Sequence, residues 1–235
     1  VVGPAPVVAT VRGVFVSDKG PQLSNGGPGI ADGMIHQFEM DPATGQLQTS
    51  ALAIPVGNDP GETLVHPRGS LLFTLDIPAA SLWSLSVDRN GLLDTSQSNV
   101  LSTPIDPRTM ALNPLGTVLY LATGGAQAPP AVYSYGIDQE TGLLSLLGSK
   151  ELSMTPSALL PDPTGRWLVA ADISSGLLAS IPLLDDGTPN VAGTVSELTV
   201  TGGPTAITFA RNGQDLFVAF NSCLLYTSPS PRDGL

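Results

Sequence analysis

A Pro-x-Gly turn followed by an apolar run returns along this chain at a near-constant interval. It reads His66-Pro67-Arg68-Gly69 before Ser70-Leu71-Leu72-Phe73, and Asn113-Pro114-Leu115-Gly116 before Thr117-Val118-Leu119-Tyr120. It returns as Asp162-Pro163-Thr164-Gly165 before Arg166-Trp167-Leu168-Val169. A fourth copy, Ala210-Arg211-Asn212-Gly213, lacks the proline. Successive glycines stand 47, 49 and 48 residues apart. A fixed period of roughly 40 to 50 residues marks a stacked or radial array of one supersecondary unit.

A second phrase keeps step with the first. Met40-Asp41-Pro42-Ala43-Thr44-Gly45 recurs as Val87-Asp88-Arg89-Asn90-Gly91, Ile137-Asp138-Gln139-Glu140-Thr141-Gly142 and Leu184-Asp185-Asp186-Gly187. Asp closes such turns through its own carboxylate, and Gly supplies the positive φ. Two hairpin turns per repeat give four strands, the content of one propeller blade. The fold is therefore expected to be all-β: a partial β-propeller of four-stranded blades, about 4.5 of an expected seven.

In each blade, strands a to d run from hub to rim. The second blade reads as Thr63–His66, Leu71–Leu75, Ser81–Val87 and a short piece after Leu92. The first contains Val14-Phe15-Val16 and Ile35 to Glu39, with Ser17 to Gly33 as a surface insert. Residues 11–222 are assigned to the propeller and 1–10 to a linker or fragment edge. Residues 223–235 are assigned to a non-native tail. Its Cys223 to Asp233 resembles translated sequencing-adapter read-through, and with Pro229 and Pro231 it is expected to add no strand.

Gly (26) and Pro (22) are many, but 42% of residues remain apolar, so the chain can build a core between its turns. Nine Lys plus Arg face twenty Asp plus Glu, a net charge of −11 that argues against nucleic acid as a partner. No apolar run is long enough for a membrane helix. One cysteine, Cys223, excludes an internal disulfide. The Pro/Ala/Val stretch Val1 to Thr10 reads equally as the start of a chain cleaved from a signal peptide or as the edge of a fragment.

The turn phrases resemble those of lactonase-family propellers, typified by 6-phosphogluconolactonase, and of YVTN-type surface propellers. The carriers are Asn113 to Ala122, Met40 to Leu47 and Ile137 to Leu143, and the resemblance spans residues 11 to 222. It implies a site looking down the hub, built from a His, an Arg-His pair and a Glu. Laid on this chain by the turns, those positions fall on Ser157, Thr205 with Ala206, and Asn221. Lactone hydrolysis needs a base for water and a donor for the oxyanion, and these residues supply neither.

The remaining candidates are Arg108, Asp76, Asp172, Glu62 and Asp18, with Lys19 beside the last, all placed on the loop face where b–c and d–a connections meet. Arg108 is expected either to point to the hub or to form a structural ion pair. Asp76 and Asp172 each follow a strand b; they read as turn formers, or as carboxylates that could hold Ca²⁺ with hub carbonyls. No other cofactor is implied. His36 and His66 are read as structural or solvent-facing, and Trp83 and Trp167 as inter-blade packing. The expected role is that of an exported binder of a small-molecule or protein ligand, monomeric at full length, in a periplasmic or extracellular setting. A cytoplasmic setting stays open, and a sugar-lactone hydrolase is the alternative.

Overall fold

The computed structural model describes residues 13–18, 33–41, 43–200, 204–210, 213, 215–220 and 226–228. Five antiparallel meander sheets follow one another along the chain. The first holds β1 (Gly13–Asp18), β2 (Met34–Met40) and β3 (Leu47–Pro55). The second holds β4 (Pro60–Val65), β5 (Leu71–Asp76), β6 (Ser81–Val87) and β7 (Leu93–Ser102). The third holds β8 (Pro107–Leu112), β9 (Val118–Thr123), β10 (Ala131–Ile137) and β11 (Leu144–Glu151). The fourth holds β12 (Ala158–Pro161), β13 (Trp167–Asp172), β14 (Leu177–Pro182) and β15 (Ser196–Thr199). The fifth holds β16 (Pro204–Phe209), β17 (Leu216–Phe220) and β18 (Tyr226–Ser228).

The repeated turns are what set this register. In all four a–b turns the glycine N–H donates back to the residue three before it, at 2.7–2.9 Å, with φ between 68° and 73°. The copy without proline is closed by the same bond, from the Gly213 N–H to the Ala210 carbonyl. The c–d turns are capped by Asp41, Asp88, Asp138 and, in the fourth blade, Asp186. Each of these carboxyls is held below its ordinary range. The main donor is the backbone of Ala43 for Asp41, of Leu92 for Asp88 and of Thr141 for Asp138; for Asp186 it is the Thr188 hydroxyl.

The core lies between blades. In β5, Leu71, Phe73 and Leu75 face the third blade, where they meet Met110, Leu119 and Leu121. Leu72, on the other side of the same strand, packs with Ile35, Ile54 and Leu85 against the first blade. This two-sided burial explains why strands b read as continuous apolar runs. Tyr120, Val132 and Leu168 join the third blade to the fourth. The joint between fourth and fifth is smaller, built on Ala171, Leu178 and Val218.

Three expectations need correction. Strand a of the second blade starts at Pro60 rather than Thr63, and ends at Val65. Tyr226–Ser228 do pair, against Leu216, Phe217 and Val218; the strand stops before Pro229, so neither proline is asked for a ladder bond. Trp167 is 44% exposed rather than packed between blades, because the joint it faces reaches only as far as Ala171 and Leu178. Residues 1–10, 223–225 and 229–235, which carry the proposed linker and most of the proposed tail, lie outside the described residues, as does the centre of the Ser17 to Gly33 insert.

Candidate functional site

A second proline column accompanies the described strands a: Pro60, Pro107 and Pro204 are the first residues of β4, β8 and β16, and Pro156 stands two residues before β12, at a spacing of 47, 49 and 48. Proline suits a strand's first residue because no ladder N–H is required there. Next comes a bulge. In the second blade Pro60 pairs with Asp76 and Thr63 with Thr74; in the third Pro107 pairs with Thr123 and Thr109 with Ala122. In the fifth Pro204 pairs with Phe220 and Ala206 with Ala219. A bulged residue is turned out of the ladder and its side chain re-aimed. The residue after each proline is Gly61, Arg108, Ser157 and Thr205, at the same place in four successive blades, beside the b–c and d–a loops.

Arg108 is the cation among these four positions. Its side chain is exposed, and its Nε donates to the Gly124 carbonyl at 2.5 Å. No carboxylate pairs with it among the described residues, so the expected structural ion pair is replaced by a bond to a loop carbonyl. The loop is Gly124 to Pro130, longer than the corresponding turns Ile77–Ala80 and Ile173–Gly176. Asp106, at φ 56°, holds it from the other side through the Gln127 N–H (2.9 Å). In the fourth blade the Ser157 hydroxyl donates to the Ala171 carbonyl and accepts the Ile173 N–H, both at 3.0 Å.

The acids are committed to the chain's own donors. Asp76 is fully buried and accepts N–H groups from Asn58 (2.6 Å) and Ala79 (3.1 Å), joining two loops. Asp172 holds the same register position but turns onto its own loop, accepting Ser174 N–H (2.8 Å) and the Ser175 hydroxyl (2.7 Å). Burial pushes its carboxyl up; the serine hydrogen bonds outweigh this and hold it below the usual range. Glu62 bridges the inner strands of two blades, accepting the Met110 N–H (2.8 Å) and the Thr109 hydroxyl (2.9 Å). Desolvation raises its carboxyl above the usual value, and those two bonds offset only part of that. Among the described residues no three His, Cys, Asp or Glu gather as a metal would require.

The histidines are elsewhere. His36 pairs with Asp18 at 3.5 Å in the first blade, both partly exposed. His66 is buried in a turn on the opposite face. Its Nε2 donates to the Gly116 carbonyl (2.8 Å) and its Nδ1 accepts the Arg68 N–H (3.1 Å). Lys19 and Asn221 lie outside the described residues, and of Thr205 only the backbone is described. Arg108 occupies in its blade the register position that Thr205 holds in the fifth, where the resemblance had placed the arginine.

Residues 95–207 match the family described as Lactonase, 7-bladed beta-propeller. The fold is that of a lactonase-like propeller. Among curated proteins none matches the sequence. A provisional 6-phosphogluconolactonase of Bacteroides fragilis is similar at TM-score 0.63 and 16% identity, over 80% of this chain and 52% of that one. A Lactobacillus plantarum protein is similar at TM-score 0.64 and 18% identity, over 87% of this chain and 63% of that one. The periplasmic gluconolactonase of Pseudomonas aeruginosa is similar at TM-score 0.52 and 17% identity, over 93% and 78%. The lactonase-like chain thus spans about half the length of the first of these, and at such identities the likeness is one of fold.

Proposed function

We propose that this lactonase-like propeller is an exported binding protein that takes a small ligand at the loop-face mouth of its hub, with Arg108 as the anchoring cation. The observation that carries the reading is the state of the acids and bases around it. Asp76, Asp172 and Glu62 are satisfied by the chain's own donors, and both histidines are held away from the mouth. Arg108 keeps the rest of its guanidinium for a ligand, and the carboxylate next to it on the chain's own loop, that of Asp106, accepts the Gln127 N–H. The likeness to a periplasmic gluconolactonase supports the exported setting. No helix among the described residues is long and apolar enough to cross a membrane.

Hydrolysis of a sugar lactone is the rival reading, favoured by the family match, which includes both Arg108 and Ser157. Titration of acid release from gluconolactone and 6-phosphogluconolactone separates the two. The expected rate is the spontaneous one, while calorimetry with gluconate shows binding that Arg108→Ala weakens by about 10- to 100-fold, the worth of a charged hydrogen bond. Turnover well above the spontaneous rate that disappears in Arg108→Ala would overturn the binder.

A further inference from the structure

Exposed isoleucines stand in the loops at this end of three successive blades. Ile77 and Ile173 stand directly after Asp76 and Asp172, at the same corner of the second and fourth blades, and both are 40% exposed. Ile77 leans over the rim: a Cβ on Gly61 would lie 3.9 Å from its Cδ1. Ile173 is fixed at the rim by its N–H bond to Ser157 Oγ. Between them, in the third blade, Ile105 is 55% exposed and opens the segment Asp106-Pro107-Arg108. The inner strands β4, β8 and β12 neighbour one another in that order, so Ile77 and Ile173 belong to the blades on either side of Arg108, and Ile105 to its own. Neither tryptophan is available to stack on a sugar: Trp83 packs between the first two blades and Trp167 opens β13 at the far end.

We infer that the ligand of this mouth is an amphiphile, with an aliphatic body lying on Ile77, Ile105 and Ile173 and a carboxylate or other oxyanion head on Arg108. This rests on the hub-mouth reading above and narrows its ligand class. Isolated exposed apolar residues are ordinary on protein surfaces. Here Ile77 and Ile173 occupy the same corner in the blades on either side of Arg108, and Ile105 stands three residues before it in its own blade; apolar sites fix a ligand's orientation with few polar groups in this way. The Asp106 carboxylate, spent on the Gln127 N–H, disfavours a second negative charge on the same molecule.

Calorimetry on the full chain with hexanoate, octanoate and gluconate tests this. Octanoate is expected to bind more tightly than gluconate, and each methylene added from hexanoate to octanoate to tighten binding by up to about fourfold. Ile105→Ser and Ile173→Ser, both at exposed positions, should weaken octanoate and leave gluconate unchanged; Arg108→Gln should weaken both. Gluconate binding that depends on Arg108, with octanoate no tighter, overturns the amphiphile and leaves the hub-mouth reading standing. Octanoate binding indifferent to both isoleucine changes also overturns it. If Arg108→Gln affects neither acid, the hub-mouth reading falls as well.

Discussion

Gly116 does two jobs that Gly165, in the same turn of the next blade, does not. Both have φ near 70°, but a Cβ on Gly116 would lie 2.3 Å from His66 Nε2, while one on Gly165 would meet nothing within 4 Å. Gly165→Ala should therefore cost only the left-handed backbone term, about 1–2 kcal/mol. Gly116→Ala should cost clearly more, because it also displaces a buried imidazole from its carbonyl. Paired urea unfolding curves measure the difference. Glu62 offers a test in pH. Its folded-state pKa is raised above 4.5, so the ionised form burdens the fold at neutral pH, and stability rises as pH falls through the folded pKa toward 4.5. Glu62→Gln keeps an acceptor without the charge. It should melt higher than the parent at pH 7, with the gain shrinking toward pH 4.5; a gain constant across that range would refute the burial account. The capping aspartates act in the opposite sense: their contribution is present above their unfolded pKa near 3.8 and is lost as pH falls below it.

Within single strands, the same register position meets different fates. Gln37 in β2 donates to the Gly91 carbonyl and accepts the Leu93 N–H, each at 2.9 Å, clamping the c–d turn of the next blade. Ser84 holds that position in β6 and is just as buried, yet its hydroxyl has no partner. Removing an unsatisfied buried hydroxyl is expected to be neutral or to stabilise by up to about 1 kcal/mol. Ser84→Ala should thus leave the urea midpoint level or raise it, with an unchanged slope; a loss above 1 kcal/mol would mean the hydroxyl is bonded in solution. Strands and turns were legible because Pro-x-Gly and Asp-Gly are local signals, complete within four to six residues. The bulge after Pro60, Pro107 and Pro204 was not, although the prolines keep the same period, because a bulge is defined by the partner strand. Nor were the partners of Gln37 and Glu62, which lie 47 to 56 residues away. The site was half legible: Arg108 could be placed on the loop face, but nothing in the sequence reveals that Asp76 is consumed by Asn58 and Ala79, or that Ile77 and Ile173 share a corner.

For the molecule as a whole, stability is a sum over joints. Each blade meets only its neighbours, as in other repeat arrays, so protection should follow the size of the joints on either side. The second and third blades each lie between two extensive apolar clusters, while the described part of the fifth rests on Ala171, Leu178 and Val218. Amide exchange is expected to be slowest in β5 and β9 and fastest in β16 and β17. Uniform protection across all five sheets would argue for a more concerted unit.

The side chains that lock blade to blade mostly reach into turns on one face: Gln37 to Gly91, His66 to Gly116, Asn99 to Thr141 and Tyr120 to Gly187. The opposite face carries the loop whose length already departs from the repeat, Gly124 to Pro130. Inheritance and novelty are thereby assigned to different ends of the same strands. A lineage could rewrite its hub-mouth loops, lengthening one or exchanging an isoleucine, while the fastening at the other end continues undisturbed.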